Sequence, residues 1–516
     1  MEEALEQPVT PRRLIAFFAL VFGMFMAILD IQIVASSLAE IQAGLSASPD
    51  EVSWVQTSYL IAEVVMIPLS GFLARALSTK VLFTASAAGF TIASALAATA
   101  TSMNEMIVYR ALQGFIGGGM IPTAFAAAYM IFPRRKQGQV MALIGLTVTL
   151  APTIGPTVGG YLTDYFSWHW LFLVNIVPGV IASVLAWSLV DFDEPDHALL
   201  ARFDWIGLAT MAVFLGSLEY VLEEGTRNDW FQSEMITGLA ALAAVSGALF
   251  FWRVLTAATP IVDLRAFRDR NFAVTSLMTA ILGAGLYGLT YLYPLYLAWV
   301  RDFTALQVGE TVFVTGAFMF LTAPVVGVLS HKVDPRWIIF FGLTGFALSS
   351  WMLTPITSDW AFGELFWPQA LRGVSLMMCM IPINLLALGT LPRGEVQNAS
   401  GLFNLMRNLG GAVGLAAINT MLTARTDINA SRLAEHVSWG APPAEERLEM
   451  MTRALASRLG PDAPLAALSR LGAMVHREAL VLSFSEVFMA LAMLFALIVG
   501  LTILLRRPAM DGAPAH

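Results

Sequence analysis

Residues 145–160 read Gly145-Leu-Thr-Val-Thr-Leu-Ala-Pro152-Thr-Ile-Gly155-Pro156-Thr-Val-Gly159-Gly160, inside an apolar stretch, 137–163, long enough to cross a bilayer. In water Pro152 and Pro156 would break this helix, because each removes a backbone donor and collides with the preceding turn. In a membrane, neighbouring helices and threonine hydroxyls re-satisfy the freed carbonyls. Gly155 and Gly159 are four residues apart, so they form one small face that a second helix backbone can approach closely. Such a helix suits a moving seam between two bundles rather than a chemical active site. Its expected hinge is Pro152, Gly155, Pro156, Gly159 and Gly160.

The rest of the chain fits a membrane. Of 516 residues, 57% are hydrophobic and 13% charged, against about 45–50% and about 25% in soluble domains. Spans of about 20 apolar residues fall at 14–38, 52–74, 80–101, 104–132, 137–163, 168–190, 204–222, 235–257, 272–299, 307–330, 337–356, 362–390, 396–424 and 481–505. The even count places both termini on one side. With the N-terminus in the cytoplasm, inner loops and tails hold Arg12, Arg13, Arg75, Lys80, Arg134, Arg135, Lys136, Arg202, Arg253 and Lys332 among others, and short outer loops hold Arg227 and Arg301. That asymmetry is what the positive-inside rule expects. The first apolar segment is too long for the core of a cleaved leader and reads as span 1.

A lone Cys379 excludes a disulfide framework or a cysteine metal cluster. The three lysines, Lys80, Lys136 and Lys332, none after a glycine, exclude a P-loop and hence an ATP-driven pump. No hydrolase or metalloprotease signature and no basic nucleic-acid patch occurs, so neither enzyme chemistry nor a cofactor or metal is expected.

Three short strings recur in order. Gly71-Phe-Leu-Ala-Arg75 pairs with Gly327-Val-Leu-Ser-His-Lys332, Ala111-Leu-Gln-Gly114 with Ala370-Leu-Arg-Gly373, and Phe132-Pro-Arg-Arg135 with Leu391-Pro-Arg393, at offsets of 256 to 259. Spans 1–6 and 9–14 therefore read as two copies of one six-helix unit, with spans 7–8 inserted. Parallel repeats of this kind build rocking transporters. The expected division is a tail 1–13, an N-terminal bundle 14–190, a linker with two inserted helices 191–257, a C-terminal bundle 258–505 with an external loop 425–480, and a tail 506–516.

These residues resemble the fourteen-span drug:proton antiporters of the major facilitator superfamily. Ala151-Pro-Thr-Ile-Gly-Pro-Thr-Val-Gly-Gly160 is similar to the antiporter motif of span 5, Tyr109-Arg110-Ala-Leu-Gln-Gly114 to the span 4 motif with its buried arginine, and Leu29-Asp30-Ile-Gln-Ile-Val34 to the acidic motif of span 1. The runs 167–176 and 263–272 also fit this class. The superfamily's loop between spans 2 and 3 usually carries an aspartate, whereas Gly71-Phe-Leu-Ala-Arg-Ala-Leu-Ser-Thr-Lys80 has no acid. Gly71, Arg75 and Lys80 are the candidate cytoplasmic gating loop. The resemblance implies the major facilitator fold, export of lipophilic substrates against protons across a bacterial inner membrane, and docking of a periplasmic adaptor and outer-membrane channel. A dedicated exporter of one metabolite or fatty acid, or a sensor or scaffold without transport, stays open.

A charge at the bilayer centre costs about 2.5–3.5 kcal/mol even on the lenient insertion scale, so each needs a reason. Asp30, Glu63 and Arg110 are expected to line the cavity of the N-terminal half as a proton-coupling cluster, burial favouring the protonated carboxyl and a nearby arginine the ionised one. A permanent Asp30–Arg110 pair that only fixes packing would leave Glu63 as carrier, and Glu63 is also a candidate anchor for a substrate cation. In the C-terminal half, Arg372 and Arg407 act on substrate or bond helix carbonyls, and Asn404 joins the candidate contacts. In span 9, Tyr287, Tyr291, Tyr293, Tyr296 and Trp299 form an aromatic wall for lipophilic drugs or, for Trp299 and Tyr296 above all, an outer interfacial belt. Met377 is either an adaptable contact or ordinary packing. Glu219, near the outer end of span 7, is expected to snorkel. In 425–480, Leu448, Met451, Leu455 and Leu459, then Leu465, Leu468, Leu471 and Val475, recur at helical spacing around Pro461 and Pro464. This predicts a helical hairpin, either an adaptor dock or a cap over the outer mouth.

Overall fold

The structure is a computed structural model and describes residues 10–257, 259–437 and 442–506. Most of both expected tails, 1–9 and 507–516, lies outside the described residues. Helices occupy all fourteen expected intervals. They are α1 Pro11–Ala35, α2 Trp54–Leu77, α3 Thr79–Ala97, α4 Met103–Ile131, α5 Arg134–Tyr165, α6 Trp170–Leu189, α7 Trp205–Glu224, α8 Glu234–Thr256, α9 Arg270–Trp299, α10 Ala305–Lys332, α11 Pro335–Trp351, α12 Phe362–Leu388 and α13 Arg393–Glu435. The fourteenth, α15 Ala463–Ile498, follows an extra helix, α14 Pro442–Leu459.

Among the described residues eleven helices, or twelve with the bent α5, are long and apolar enough to cross a membrane. The other two are α11, of only 17 residues, and α13, of 43 residues, which runs on past its apolar part. Their ends are set locally. Thr10 accepts from the Arg13 amide ahead of α1, Asp269 from the Phe272 amide ahead of α9 at 2.8 Å, and Thr304 and Gln307 form a capping box at α10. Exposed Phe18, Val180, Trp187, Phe320, Leu321 and Leu497 give the bundle an apolar surface suited to lipid.

The internal repeat is visible in the packing. A methyl on Gly71 of α2 would lie 2.8 Å from the Asn398 Cα at the start of α13, and one on Gly327 of α10 would lie 3.0 Å from the Gly138 carbonyl oxygen at the start of α5. The paired Gly114 and Gly373 likewise press α4 on the Tyr59 backbone of α2 and α12 on the Thr315 backbone of α10. Equivalent glycines thus make equivalent close approaches in both halves, which only a missing side chain permits. The halves meet along two seams, α2 with α13 and α5 with α10. Inserted α7 packs on α2 and α13 together, over the first seam.

α14 and the start of α15 form the expected hairpin. Leu455, Ala463 and Ala467 are its buried core, with Leu448 and Met451 packed against them.

Candidate functional site

A cavity of about 150 Å³ lies between the halves. Glu63 reaches it from α2, Glu219 and Glu223 from α7, Tyr287 from α9 and Arg407 from α13, while Ile121 and Val148 line it from α4 and α5. Gly411 fits against the Tyr287 ring, and Gly283 against the Arg407 carbonyl, which brings α9 and α13 together at this level. Glu63 is 3% exposed, yet among the described residues its carboxylate has no hydrogen bond or ion pair. Arg407 is 2% exposed and donates to Asn404 Oδ1 at 2.6 Å, while its Nε and Nη1 make no hydrogen bond among the described residues. Its guanidinium lies 5.3 Å from the Phe125 ring centroid. Buried ionisable groups normally pair, so these two are the site's open positions.

Asp30 and Arg110 meet as the sequence predicts, but not at this cavity. Both are 0% exposed and joined at 2.7 Å. Gln113 and Asn175 donate to Asp30 at 3.2 and 2.6 Å, and Arg110 Nε donates to the Val55 carbonyl at 3.0 Å. The Arg110 guanidinium also lies 4.3 Å from the centroid of the Tyr59 ring. This network ties α1, α2, α4 and α6 together. Glu63 is not bonded to it, so the expected three-residue cluster divides into a satisfied pair and a lone cavity acid.

The other candidates divide too. Tyr287 and Arg407 line the cavity, and Tyr291, Met377, Arg372 and Asn404 do not. Arg372 is held by the Thr290 hydroxyl at 2.8 Å and the Leu286 carbonyl at 3.3 Å, a bonding role on α9. Met377 is fully buried packing. Glu219 does not reach an interface: it is 6% exposed and faces the cavity. The snorkelling expectation fails because this face of α7 is turned onto the α2–α13 seam and the cavity. Glu223, one turn on, is exposed at the cavity edge. Its i, i+4 spacing from Glu219 in an apolar span is a signal that sequence reading passed over.

The span 5 motif bends, with 42° between Lys136–Pro152 and Ile154–Tyr165. Its glycine face, however, packs on α1: Gly155 against Gln32 and Gly159 against the Ile33 carbonyl and Ser36. A Cβ on Gly160 would meet nothing within 4 Å. The glycine face therefore lies within one half, while α5 meets α10 of the other half through Gly138 and Ala142 against Gly327 and, within the motif, through Thr157 against Gly309. The two-bundle seam expected at Gly155 and Gly159 is corrected accordingly.

On the side where α1 begins and α15 ends, the halves are bonded. Tyr129 donates to the Asn384 carbonyl at 2.6 Å and Ser400 to the Pro122 carbonyl at 2.8 Å. The candidate gating loop adds a third link. Asp193, after α6, accepts from the Thr79 amide and hydroxyl at 2.7 and 2.6 Å and from Gln397 of α13 at 3.0 Å. An acid missing from the loop after α2 is thus delivered from the loop after α6. Arg75 bonds back to the Gly71 carbonyl, and Lys80 lies 4.7 Å from the Trp187 ring centroid. At the opposite side, Thr57 of α2 donates to Glu224 at 3.2 Å, and Trp230, just after α7, donates to Thr420 of α13 at 2.9 Å.

Two pseudo-equivalent helical halves around a central polar cavity, closed on one side, define a membrane transporter of the alternating-access type. The chain belongs to the Major Facilitator Superfamily, which matches residues 20–415. It is 42% identical to the colistin resistance protein EmrB of Acinetobacter baumannii, over 95% of this chain and 96% of that protein. It is 30% identical to the fatty acid resistance protein FarB of Neisseria gonorrhoeae, over 99% and 100%, and 29% identical to the multidrug export protein EmrB of Escherichia coli K12, over 94% and 93%. The fold is shared with the human organic anion transporter MFSD10, with a TM-score of 0.58 at 13% identity over 94% of this chain and all of that one.

Proposed function

We propose that the chain is a proton-coupled exporter of lipophilic drugs and other toxic small molecules across a bacterial inner membrane, both termini in the cytoplasm. The observation that carries this reading is Glu63: a buried acid with no hydrogen bond or ion pair among the described residues, facing a cavity shared by both halves. The names of the relatives, multidrug and colistin resistance proteins, supply the substrate class. Residues 14–190 and 258–505 are the two moving bodies, and 191–257 joins them. Outside, Glu63 takes a proton. The bonds of Tyr129, Ser400 and Gln397 then part, the cavity turns inward, and Glu63 releases its proton as substrate enters beside Tyr287 and Arg407. The Asp30–Arg110 pair holds α1 and α4 in place throughout. The gate is Gly71, Arg75 and Lys80 with Asp193. The bend at Pro152 and Pro156 shapes α5 for the swing. One proton crossing about 150 mV yields about 3.5 kcal/mol, at about 2.3 per 100 mV, enough for a gradient of roughly a few hundredfold.

A second reading, export of a fatty acid or other single anionic metabolite, is favoured by Arg407, whose two free nitrogens suit a carboxylate, and by the likeness to FarB. The hairpin of α14 and α15 is the surface on which a periplasmic adaptor, leading to an outer-membrane channel, would dock. The test is drug-induced proton release from proteoliposomes under an imposed pH gradient, with a lipophilic cation, an uncoupler and a fatty acid. Release with drugs supports export. Release with fatty acid alone supports the second reading, and flux of none would make the chain a sensor or scaffold.

A further inference from the structure

The mechanism above uses one acid of the cavity and leaves two. Glu219 and Glu223 stand one turn apart on α7, so their side chains lie on one face, with Cβ atoms about 5–6 Å apart. Among the described residues neither makes a hydrogen bond or an ion pair, although Glu219 is nine-tenths buried. The neighbouring Glu224, by contrast, is held by Thr57 and Arg227. Around the cavity three carboxylates face one basic residue, Arg407, which is already bonded to Asn404. An isolated ionised carboxylate away from water is costly. Among the described residues no basic group pairs with Glu219, so a cationic ligand would meet a carboxylate with no competing partner.

The cavity's size narrows the class. The cavity holds about 150 Å³. Drug-sized pockets run to about 300–1,000 Å³. A cationic head group fits here, with the apolar body of the ligand toward the open edge, where Glu223 is exposed. Tyr287 adds an aromatic ring to the same wall, which suits an ammonium or amidinium.

We propose that Glu219 and Glu223 of the inserted helix α7 form a subsite for the head group of a cationic amphiphile. This rests on the export reading and names a substrate class within it. Helix α7 then sets specificity, for it belongs to neither repeat yet contributes two of the three cavity acids.

The test uses the purified full-length chain and two fluorescent probes, ethidium, which is permanently cationic, and the neutral lipophile Nile red. Glu219→Gln and Glu223→Gln are each expected to weaken ethidium binding about tenfold relative to Nile red. The double variant should weaken it further, and Glu219→Asp should restore part of the loss. An unchanged ratio of the two dissociation constants in the double variant overturns the proposal. So does equal loss of both probes with drug-induced proton release abolished, since Glu219 would then belong to proton transfer. Wild-type proteoliposomes separate the two claims. If they export Nile red against protons but bind no ethidium, the subsite fails and export stands. If they move neither dye, the export reading fails and takes the subsite with it.

Discussion

Two buried acids with opposite surroundings make opposite predictions. Asp30 is saturated by Arg110, Gln113 and Asn175. Its replacement, Asp30→Asn, leaves the Arg110 guanidinium buried without its counter-charge. Removing one partner of a buried pair typically costs about 3–5 kcal/mol. Asp30→Asn is therefore expected to lower the unfolding temperature of the detergent-purified protein, with efflux falling as folded protein is lost. Glu63 makes no hydrogen bond or ion pair among the described residues. Glu63→Gln is expected to leave the unfolding temperature within a few degrees while abolishing drug-induced proton release. Proton release persisting in Glu63→Gln would remove Glu63 from coupling. A stable, inactive Asp30→Asn would return the pair to the mechanism.

At the level of the helix, the glycines of span 5 test where α5 packs. A Cβ at Gly159 would stand 2.8 Å from the Ile33 carbonyl oxygen, part of a backbone that cannot swing aside, whereas one at Gly160 would meet nothing within 4 Å. Overpacking of this kind costs about 1–3 kcal/mol. Gly159→Ala should destabilise by that amount and Gly160→Ala should be silent, as thermal unfolding in detergent would read. The sequence made the helices, their order and the repeat legible, because span length and small residues are local properties. It also showed that Gly155 and Gly159 form a face. Which neighbour fills that face is a tertiary fact, and α1 rather than the opposite half fills it. The same holds for Asp193: its proximity to Thr79 and Gln397 joins residues 114 and 204 positions apart. No spacing in the sequence announces that contact. Asp193→Ala removes the acceptor of three bonds, two of them to Thr79 and one across the halves. Bonds to a charged group are worth about 1.5–3 kcal/mol. A cysteine placed at Ser400, with Cys379→Ser as background, should become more reactive to a thiol reagent from the side where α1 begins. Unchanged labelling would show that Asp193 only caps α3.

For the molecule as a whole, the inserted pair is the feature that two six-helix repeats do not anticipate. Repeat logic treats α7 and α8 as a spacer. The contacts place α7 over the α2–α13 seam, bonded to α2 through Thr57 and, through Thr226 and Trp230, to Thr420 of α13. Alternating access moves α2 and α13 apart at one side and together at the other. A helix bonded to both must release one of them in each cycle. The weaker tie is the candidate: among the described residues the hydrogen bonds to α13 all run to Thr420, whereas on α2 Trp54 also packs on Tyr220 with ring centroids 5.3 Å apart. Helix α7 is thus expected to travel with the N-terminal half and part from α13. The Thr226 and Thr420 hydroxyl oxygens are 3.1 Å apart, close enough for a disulfide, which needs Cβ atoms about 3.5–4.5 Å apart. Thr226→Cys with Thr420→Cys should cross-link under mild oxidant, stop efflux when oxidised and recover it on reduction, each single variant remaining active in both states. Transport undiminished with the cross-link complete would mean that α7 rides with α13 and that the seam opens against α2 instead.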